Sequence, residues 1–303
     1  MDLRSLRYVA AIAAHQNLTK AAESLYVGQP TLSKFLAGLE RELGLRLFDR
    51  IGHRYVPTYA GSRYVEAARE ILRLKAGLDD EMADILKREV GVLNVAFANM
   101  RGSYMLPEVL PRFRDLHPNV RLNVFEGSSS ENDRRLLSGE IDVAFYSMPS
   151  APNPRIAYHP LASEELLICK RAGHPLGRYA RSDPDSAWPR LELSRLRDEL
   201  VLMMMPEQRT RQIVDAILEE NGLRFENVLY TPNIPAIMGL VANGYGVSFV
   251  FDAHLKHRAG TAPIDCYSFG RPRTVCHFVA ATRQGSYLSS HAQVFIDTVK
   301  ALA

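Results

Sequence analysis

Along the first sixty residues the apolar positions fall at helical intervals in three short bursts. Leu6, Val9, Ala10 and Ala13 mark one helix. Leu18, Ala21, Ala22 and Leu25 mark a second of about two turns, with Thr19 as its expected cap. Leu32, Phe35, Leu36, Leu39 and Leu43 form the stripe of a third. Pro30 suits the first turn of that helix, where a missing N–H costs nothing, and Gly44 suits its end. Only Tyr26-Val27-Gly28-Gln29 separates the second helix from the third, which predicts a helix-turn-helix. On a helical wheel the third helix turns Pro30, Ser33, Lys34, Ala37 and Arg41 away from its stripe. That face fits a DNA major groove, although the solvated side of a plain bundle has the same pattern. Leu47 to Pro57 then reads as a hairpin with a turn at Gly52 and a cationic tip of Arg50, His53 and Arg54, a wing beside the helices.

Further on, Tyr64, Ile71, Leu78 and Ile85 recur every seven residues, with Ala68, Lys75 and Met82 interleaved. This predicts a long helix from about Thr58 to Lys87 whose apolar seam faces a second copy of itself or its own C-terminal domain. From Gly91 strands and helices alternate. Val92–Ala98, Val120–Phe125 and Ile141–Tyr146 read as strands, Met105–Leu116 and Ser128–Ser138 as helices. A second series follows: strands at Glu165–Cys169, Leu200–Met204, Asn227–Tyr230 and Gly246–Phe251, with helices at Gln208–Asn221 and Ile234–Ala242. A strand at Val275–Ala281 and a helix at Ser289–Leu302 close the chain. Such alternation builds open α/β sheets, here in two lobes, with ligands expected beyond the strand ends.

At 303 residues, 47% hydrophobic and 23% charged, the chain exceeds one hydrophobic core and reads as multidomain globular protein. Its net charge of +3 is front-loaded: residues 1–57 carry eight Lys/Arg against five Asp/Glu, which suits a polyanionic partner there. The amino terminus carries Asp2, Arg4 and Arg7 within its short apolar patch and lacks a cleavage site, and no apolar run is long enough for a membrane helix, so a cytoplasmic location is expected. Cys169, Cys266 and Cys276 have no metal-ligand spacing. They read as buried free thiols, with Cys266/Cys276 as the alternative redox pair. No Gly-x-Ser-x-Gly elbow, phosphate loop or His-Glu-x-x-His is present, and Gly244-Tyr245-Gly246 lacks a third glycine at Phe249, so no enzyme motif stands out.

The front of the chain resembles the LysR-type transcriptional regulators. The signature is carried by Ala21-Ala22, Leu25, Gln29-Pro30-Thr31-Leu32-Ser33, Leu39-Glu40, Leu43-Gly44, Leu47-Phe48 and Arg50. It departs at Gly28, where the family usually has Ser or Thr, so no side-chain contact is expected there. The resemblance runs to the C-terminus. It implies an α/β fold class with an all-α-type N-terminal winged helix-turn-helix and a C-terminal two-lobe, periplasmic-binding-protein-like (type 2) α/β effector domain. The expected division is 1–58 for the DNA-binding domain, 59–89 for a dimerising linker helix and 90–303 for the effector domain. Within that domain, lobe one spans about 90–161 and 268–303, lobe two about 162–267, with crossings near Leu161 and Tyr267.

The function so implied is a DNA-binding transcription regulator, not an enzyme, controlled by a small-molecule effector held between the lobes. Its partners would be a double-stranded DNA operator, the effector, a homodimer or homotetramer, and RNA polymerase, with no cofactor, no metal and no membrane. The expected DNA-binding residues are Gln29, Pro30, Thr31, Ser33, Lys34, Arg50 and Arg54. The expected effector residues are Asn99, Arg101, Ser103, Ser128, Ser129, Thr231 and Asn233, at strand-to-helix junctions that offer N–H groups and hydroxyls to an anion. Ser128 and Glu131 make a capping box, and Arg101 is the one full positive charge among these seven. Family likeness is residue-specific at Ser129, Asn233 and Leu240–Val247. It fails at Met205-Pro206-Glu207-Gln208-Arg209, where Glu207 would repel a carboxylate. Two other readings stand beside this one: a thiol-redox-sensing regulator, and an enzyme on a two-lobe α/β fold.

Overall fold

The computed structural model of the chain describes residues 2–86, 90–256, 262–270 and 272–303, without the side chains of Ile85 and Asn99. The chain forms two compact units, Met1–Arg88 and Glu89–Ala303.

In the first unit, helices α1 (Leu3–His15), α2 (Leu18–Ser24) and α3 (Gln29–Leu43) precede a hairpin of β1 (Phe48–Ile51) and β2 (Arg54–Pro57), and then the long α4 (Tyr59–Ile85). Val9, Ile12, Ala21, Leu32, Leu36 and Leu39 share one core with Leu47, Phe48 and Val65. The cap of α2 is Asn17 rather than Thr19: its side-chain oxygen accepts the N–H groups of Thr19 and Lys20, so the helix starts two residues earlier, at Leu18. Gly44 closes α3 in the left-handed region at φ 69°, as its position suggested. The Glu40 carboxylate accepts the N–H groups of Leu47 and Phe48 at 2.8 and 3.1 Å and so ties α3 to the hairpin. The N–H of Tyr55 donates to the Gln16 carbonyl, which fixes β2 on the end of α1.

The second unit opens with β3 (Gly91–Ala98), α5 (Asn99–Leu116), β4 (Val120–Gly127), α6 (Ser129–Ser138) and β5 (Val143–Ser147). Then come β6 (Ile156–Arg171), β7 (Val201–Met203), α7 (Arg209–Glu220), β8 (Val228–Tyr230), α8 (Ile234–Ala242), β9 (Val247–Phe251) and the one-turn α9 (Ala253–Lys256). The chain closes with β10 (Ile264–Tyr267), β11 (Val275–Arg283) and α10 (Ser290–Lys300), and short 3-10 turns lie at Pro175–Tyr179 and Leu193–Leu196. The described strands run β4-β3-β5-β11-β6-β9-β7-β8, with β10 also paired to β6. Pairing is parallel within β4-β3-β5 and β9-β7-β8 and antiparallel where β11, β6, β9 and β10 meet.

The long β6 joins the two halves. Ile156 to Glu165 pair with β11, whereas Leu166 to Cys169 pair with β9 and Ile168 to Arg171 with β10. The change of partner falls at Glu165/Leu166, beyond the expected Leu161. Leu161 itself is skipped in the register, between Ala162 opposite Phe278 and Pro160 opposite Val279. A bulge there lets a strand carry proline. On one half, α5 and α10 set Phe113 and Phe295 against Phe97 and Phe145 of one sheet face, and α6 covers the other through Leu136, with Ile141 of the following turn beside it. On the other half, α7 packs Val214 and Leu218 against one face, and α8 packs Ile237 and Val241 against the opposite one.

Glycines mark where backbones touch. A Cβ on Gly61 would lie 1.7 Å from the Leu47 carbonyl oxygen, whereas one on Gly38 would meet nothing within 4 Å. We expect Gly61→Ala to destabilise the full chain by about 3 kcal/mol through this overlap. Gly38→Ala, on an exposed helical position, should stabilise it by about 1 kcal/mol. Chemical denaturation measures both, and equal midpoints for the two variants would contradict the packing described.

Candidate functional sites

The first unit presents α3 with its N-terminal turn uncapped by any side chain, Gly28 sitting at the cap in an extended conformation. Pro30 has no N–H, and those of Thr31 and Leu32 donate to the Gly28 carbonyl at 3.0 and 3.2 Å, so this end offers an anion the helix dipole rather than a row of free donors. Gln29, Pro30, Thr31 and Lys34 are exposed and Ser33 is half-buried, while Leu32 and Leu36 hold the opposite side in the core. The wing exposes Arg50 and Arg54. Arg50 Nε donates to the Gly52 carbonyl at 3.2 Å, across a two-residue turn with Gly52 at φ 61°. Two features were not singled out in the sequence. Lys20, on α2, shares a groove with His53 and Arg54 of the wing. Tyr26 sits in the turn before α3 at φ 55° and is 96% exposed, an unusual conformation and setting for a tyrosine.

In the second unit a cavity of about 90 Å³ collects the N-terminal ends of four helices. Met100 and Arg101 come from α5, Ser128 and Ser129 from the cap and start of α6, Gln208, Arg209 and Thr210 from the cap and start of α7, and Pro232 and Ile234 from the approach to α8, with Ala98, Gly127, Ser147, Met204 and His254 also in the wall. Aligned peptide dipoles make such ends attractive to negative charge. No side chain caps α7. Arg209 is largely buried, and its Nε finds no hydrogen-bond partner among the described residues, while Nη2 stands 3.8 Å from Asp133. Burial raises the Asp133 carboxyl, against the lowering effects of its Tyr146 hydrogen bond and Arg209. Behind Ser129, the fully buried Asn132 has neither amide atom satisfied by the described residues.

Several sequence expectations change here. Arg101 borders the cavity but is not a free cation. It is 4% exposed, and its two terminal nitrogens hold the two Glu164 oxygens at 2.7 Å each, with the guanidinium stacked 3.8 Å from the Phe278 ring centre. Burial opposes its charge, and Glu164 more than offsets this, so its pKa lies above the ordinary arginine value. The helix expected from Met105 starts at Asn99, because the polar stretch with Gly102 winds into α5 and buries Arg101. Ser103 is exposed and bonds back to the Met100 carbonyl. Thr231 accepts the Asn233 N–H, and Asn233 caps α8, so none of these three lines the cavity. The Asn99 side chain lies outside what is described. Ser128 caps α6 by accepting the Glu131 N–H, but the Glu131 carboxylate pairs with Arg135, so only half of the capping box forms. Glu207 is exposed and off the cavity wall, which removes the repulsion it was expected to bring. What the sequence reading missed was Arg209, inside the very segment it set aside.

The cysteines also rearrange. Cys266 does not pair with Cys276: it lies opposite Cys169 on the neighbouring strand, with the sulfurs 3.2 Å apart. Burial, with Glu164 next, pushes the Cys276 thiol up to about 11. On α4, Val65 and Ala68 are buried in the first unit. Ile71, Leu74, Leu78 and Met82 form an exposed stripe, and Lys75 instead pairs with Asp79 one turn on. The expected seam therefore moves from Lys75 to Leu74. The Ile85 side chain lies outside what is described.

A winged helix-turn-helix head followed by a two-lobed α/β domain with an anion-attracting cleft defines a ligand-responsive DNA-binding regulator. Residues 3–62 match the bacterial regulatory helix-turn-helix protein, lysR family, and residues 87–303 match the LysR substrate binding domain. The chain belongs to the LysR family of transcriptional regulators. It is 29% identical over 255 residues to the regulator BenM of Acinetobacter baylyi, covering 82% of this chain and 80% of that one. It is 26% identical over 303 residues to the hydrogen peroxide-inducible genes activator of Pectobacterium carotovorum, covering 99% and 96%. Among solved structures, full-length OxyR from Pseudomonas aeruginosa superposes with a TM-score of 0.78 at 25% identity, covering 99% of this chain and 95% of that chain. Full-length BenM gives 0.59 at 26%, covering 100% and 96%. This chain is thus a regulator rather than an enzyme, and its two domains are those of DNA binding and effector binding.

Removing one partner of a buried ion pair leaves the other charge stranded, so Glu164→Gln should destabilise the protein by about 3 kcal/mol, while Arg101→Met with Glu164→Leu should recover most of that. Urea unfolding of the three proteins gives the comparison; a harmless Glu164→Gln would mean the pair is not holding α5. Cys276 should resist alkylation at neutral pH and react only as pH climbs toward its raised pKa of about 11. Rapid modification of that thiol at neutral pH, read by mass spectrometry, would overturn its reading as a buried free thiol on β11.

Proposed function

We propose that α3 enters the major groove with Gln29, Thr31 and Ser33 near base edges and Pro30 easing the approach, while Lys34, Arg50 and Arg54 neutralise phosphates. The exposed, uncapped start of α3 beside a basic wing supports this reading. The domain division that goes with it is 1–58 for the head, 59–89 for the linker helix and 90–303 for the effector domain. The exposed stripe from Ile71 to Met82 pairs with the same stripe of a second copy, so that two heads reach a two-part operator. No described helix is long and apolar enough to cross a membrane. A regulator that works on DNA fits the cytoplasm.

The effector is a small organic anion. The observation that carries this is the convergence of four helix N-termini, two from each half of the sheet, on one cavity whose walls also offer Met100, Met204 and Ile234 to an apolar body. Ser128 and Ser129 supply hydroxyls, Thr210 a third, and Arg209 the charge with an unsatisfied Nε. Of the seven residues expected from sequence, Arg101 acts by holding α5 in place rather than by meeting the ligand.

A thermal-shift screen of small carboxylates against the full chain should find a stabilising ligand, because binding to the folded state alone raises apparent stability. Arg209→Ala and Ser129→Ala should each weaken that ligand by about 1.5 kcal/mol while ligand-free DNA affinity holds. If neither changes it, the cavity is not the effector site. For DNA, Arg54→Ala should flatten the dependence of log affinity on log salt by about one unit, and Gln29→Ala should relax sequence preference by about 1–3 kcal/mol. Leu78→Asp should leave a monomer in sedimentation; an unchanged assembly would move the interface off α4.

A further inference from the structure

The second half of the sheet carries another concavity, of about 140 Å³, that shares no lining residue with the cavity between the halves. Its wall holds four arginines, Arg178, Arg181, Arg190 and Arg195, against a single carboxylate, Glu192. None of the four arginines forms an ion pair among the described residues. We propose that this cleft binds a ligand with closely spaced phosphoryl groups, a linear oligophosphate such as the chain of a nucleoside triphosphate.

The arrangement concentrates like charge where the fold gives no reason to. Arg181 and Arg190 exchange both backbone hydrogen bonds, at 2.9 and 2.7 Å. Residues paired in that way project their side chains from the same face, side by side, and like charges so placed repel. Arg178 and Arg195 both lie over the Tyr179 ring, at 4.7 and 4.3 Å from its centre, and Arg178 also donates to the Tyr179 hydroxyl at 2.6 Å. One ring therefore orders two guanidiniums before any ligand arrives. The short 3-10 turns that carry these residues are pinned by the buried Leu176, Leu193 and Leu196. The backbone under the cleft is held as well, by the bridge from Arg190 to Ser268.

Four guanidiniums and no lysine favour an occupant with paired oxygens, since the planar fork meets two acceptors at once. A single phosphate carries about two charges at most and would leave the cleft positive. An oligophosphate supplies three or four charges over a few ångströms, close to the surplus of four arginines over one glutamate. This site is independent of the effector reading, because it uses none of the same residues.

The test is calorimetric titration of sodium tripolyphosphate into the full-length protein at constant ionic strength, with orthophosphate and a double-stranded DNA oligomer run in parallel. We expect saturable one-to-one binding. Arg190→Ala and Arg195→Ala should each weaken it about tenfold, Glu192→Gln should strengthen it, and Arg54→Ala on the wing should leave it unchanged. Melting temperatures of Arg190→Ala and Arg195→Ala should not fall, since Arg195 is exposed, Arg190 is half-buried without an ion pair among the described residues, and removing either relieves repulsion. Arg181→Lys, which keeps the charge and loses the fork, should fall between wild type and Arg190→Ala. The proposal is overturned by no heat at millimolar tripolyphosphate, by equal binding of orthophosphate, or by a signal lost in Arg54→Ala and kept in the cleft variants. It is also overturned if the cleft variants weaken DNA binding and leave tripolyphosphate untouched, which would make this face a nucleic-acid contact.

Discussion

Two adjacent glutamates in the middle of β6 set the geometry of the second unit. Strand alternation sends Glu164 and Glu165 to opposite faces, and both are buried. An unpaired carboxylate in that setting costs several kcal/mol, so each must be met by a donor, and the donors come from different parts of the chain. Glu164 takes Arg101 from the first turn of α5. Glu165 takes the Ser186 hydroxyl and Arg273, which lies on the return connection before β11. These contacts occur where β6 leaves β11 and joins β9. The same residues that neutralise the carboxylates therefore fasten α5 and the returning chain to the junction between the two halves.

The cavity inherits its shape from that junction. Because Arg101 is held by Glu164, the N-terminus of α5 is fixed at the cavity wall, and the positive end of a helix, rather than a mobile guanidinium, is what α5 offers to a ligand. From the other half Arg209 reaches toward Asp133 on α6, at 3.8 Å, a distance that leaves the contact loose. An anion in the cavity would compete with Asp133 for Arg209 and draw the start of α7 toward the starts of α5 and α6. Only a ligand that gains more from one spacing of the halves than from another can shift their balance. A loose pair with Asp133 would cost little to give up, so it would not oppose such a shift.

The head was legible because its information is local. The three apolar stripes, Pro30, Gly44 and the Gly52 turn each act within a few residues, and the resulting helices and hairpin lie close to where the pattern placed them. The second unit was legible in its order of elements and less so in its long-range pairings. The first half of β6 has no apolar period, and Pro160 argues against a strand; only its pairing with β11, with a bulge at Leu161, makes it one. For the site, serines at helix starts could be read from sequence, and Ser128 and Ser129 line the cavity. Arg101 and Arg209 could not be told apart. Both are arginines at helix beginnings, and what separates them is a glutamate 63 residues beyond Arg101 that only the fold brings within 2.7 Å. The Cys169 and Cys266 contact is likewise a matter of strand register, invisible to spacing in the chain.

The two concave sites on the second unit attract anions by different physics, and this decides what each can select. In the cavity between the halves, one arginine is neutralised by Glu164, another is partly offset by Asp133, and the remaining attraction comes from helix ends whose partial charges fall off within a turn. Such a field favours a compact anion of low charge with an apolar body against Met100, Met204 and Ile234. In the arginine cleft the field comes from full charges brought close together by Tyr179 and by a strand pairing. It grows with each negative charge the ligand brings and is more readily screened by salt, because its groups are exposed. A monocarboxylate gains little there over water, and an oligophosphate is too highly charged for helix termini to neutralise in a cavity of about 90 Å³. The two sites can therefore be occupied together without competing for the same ligand.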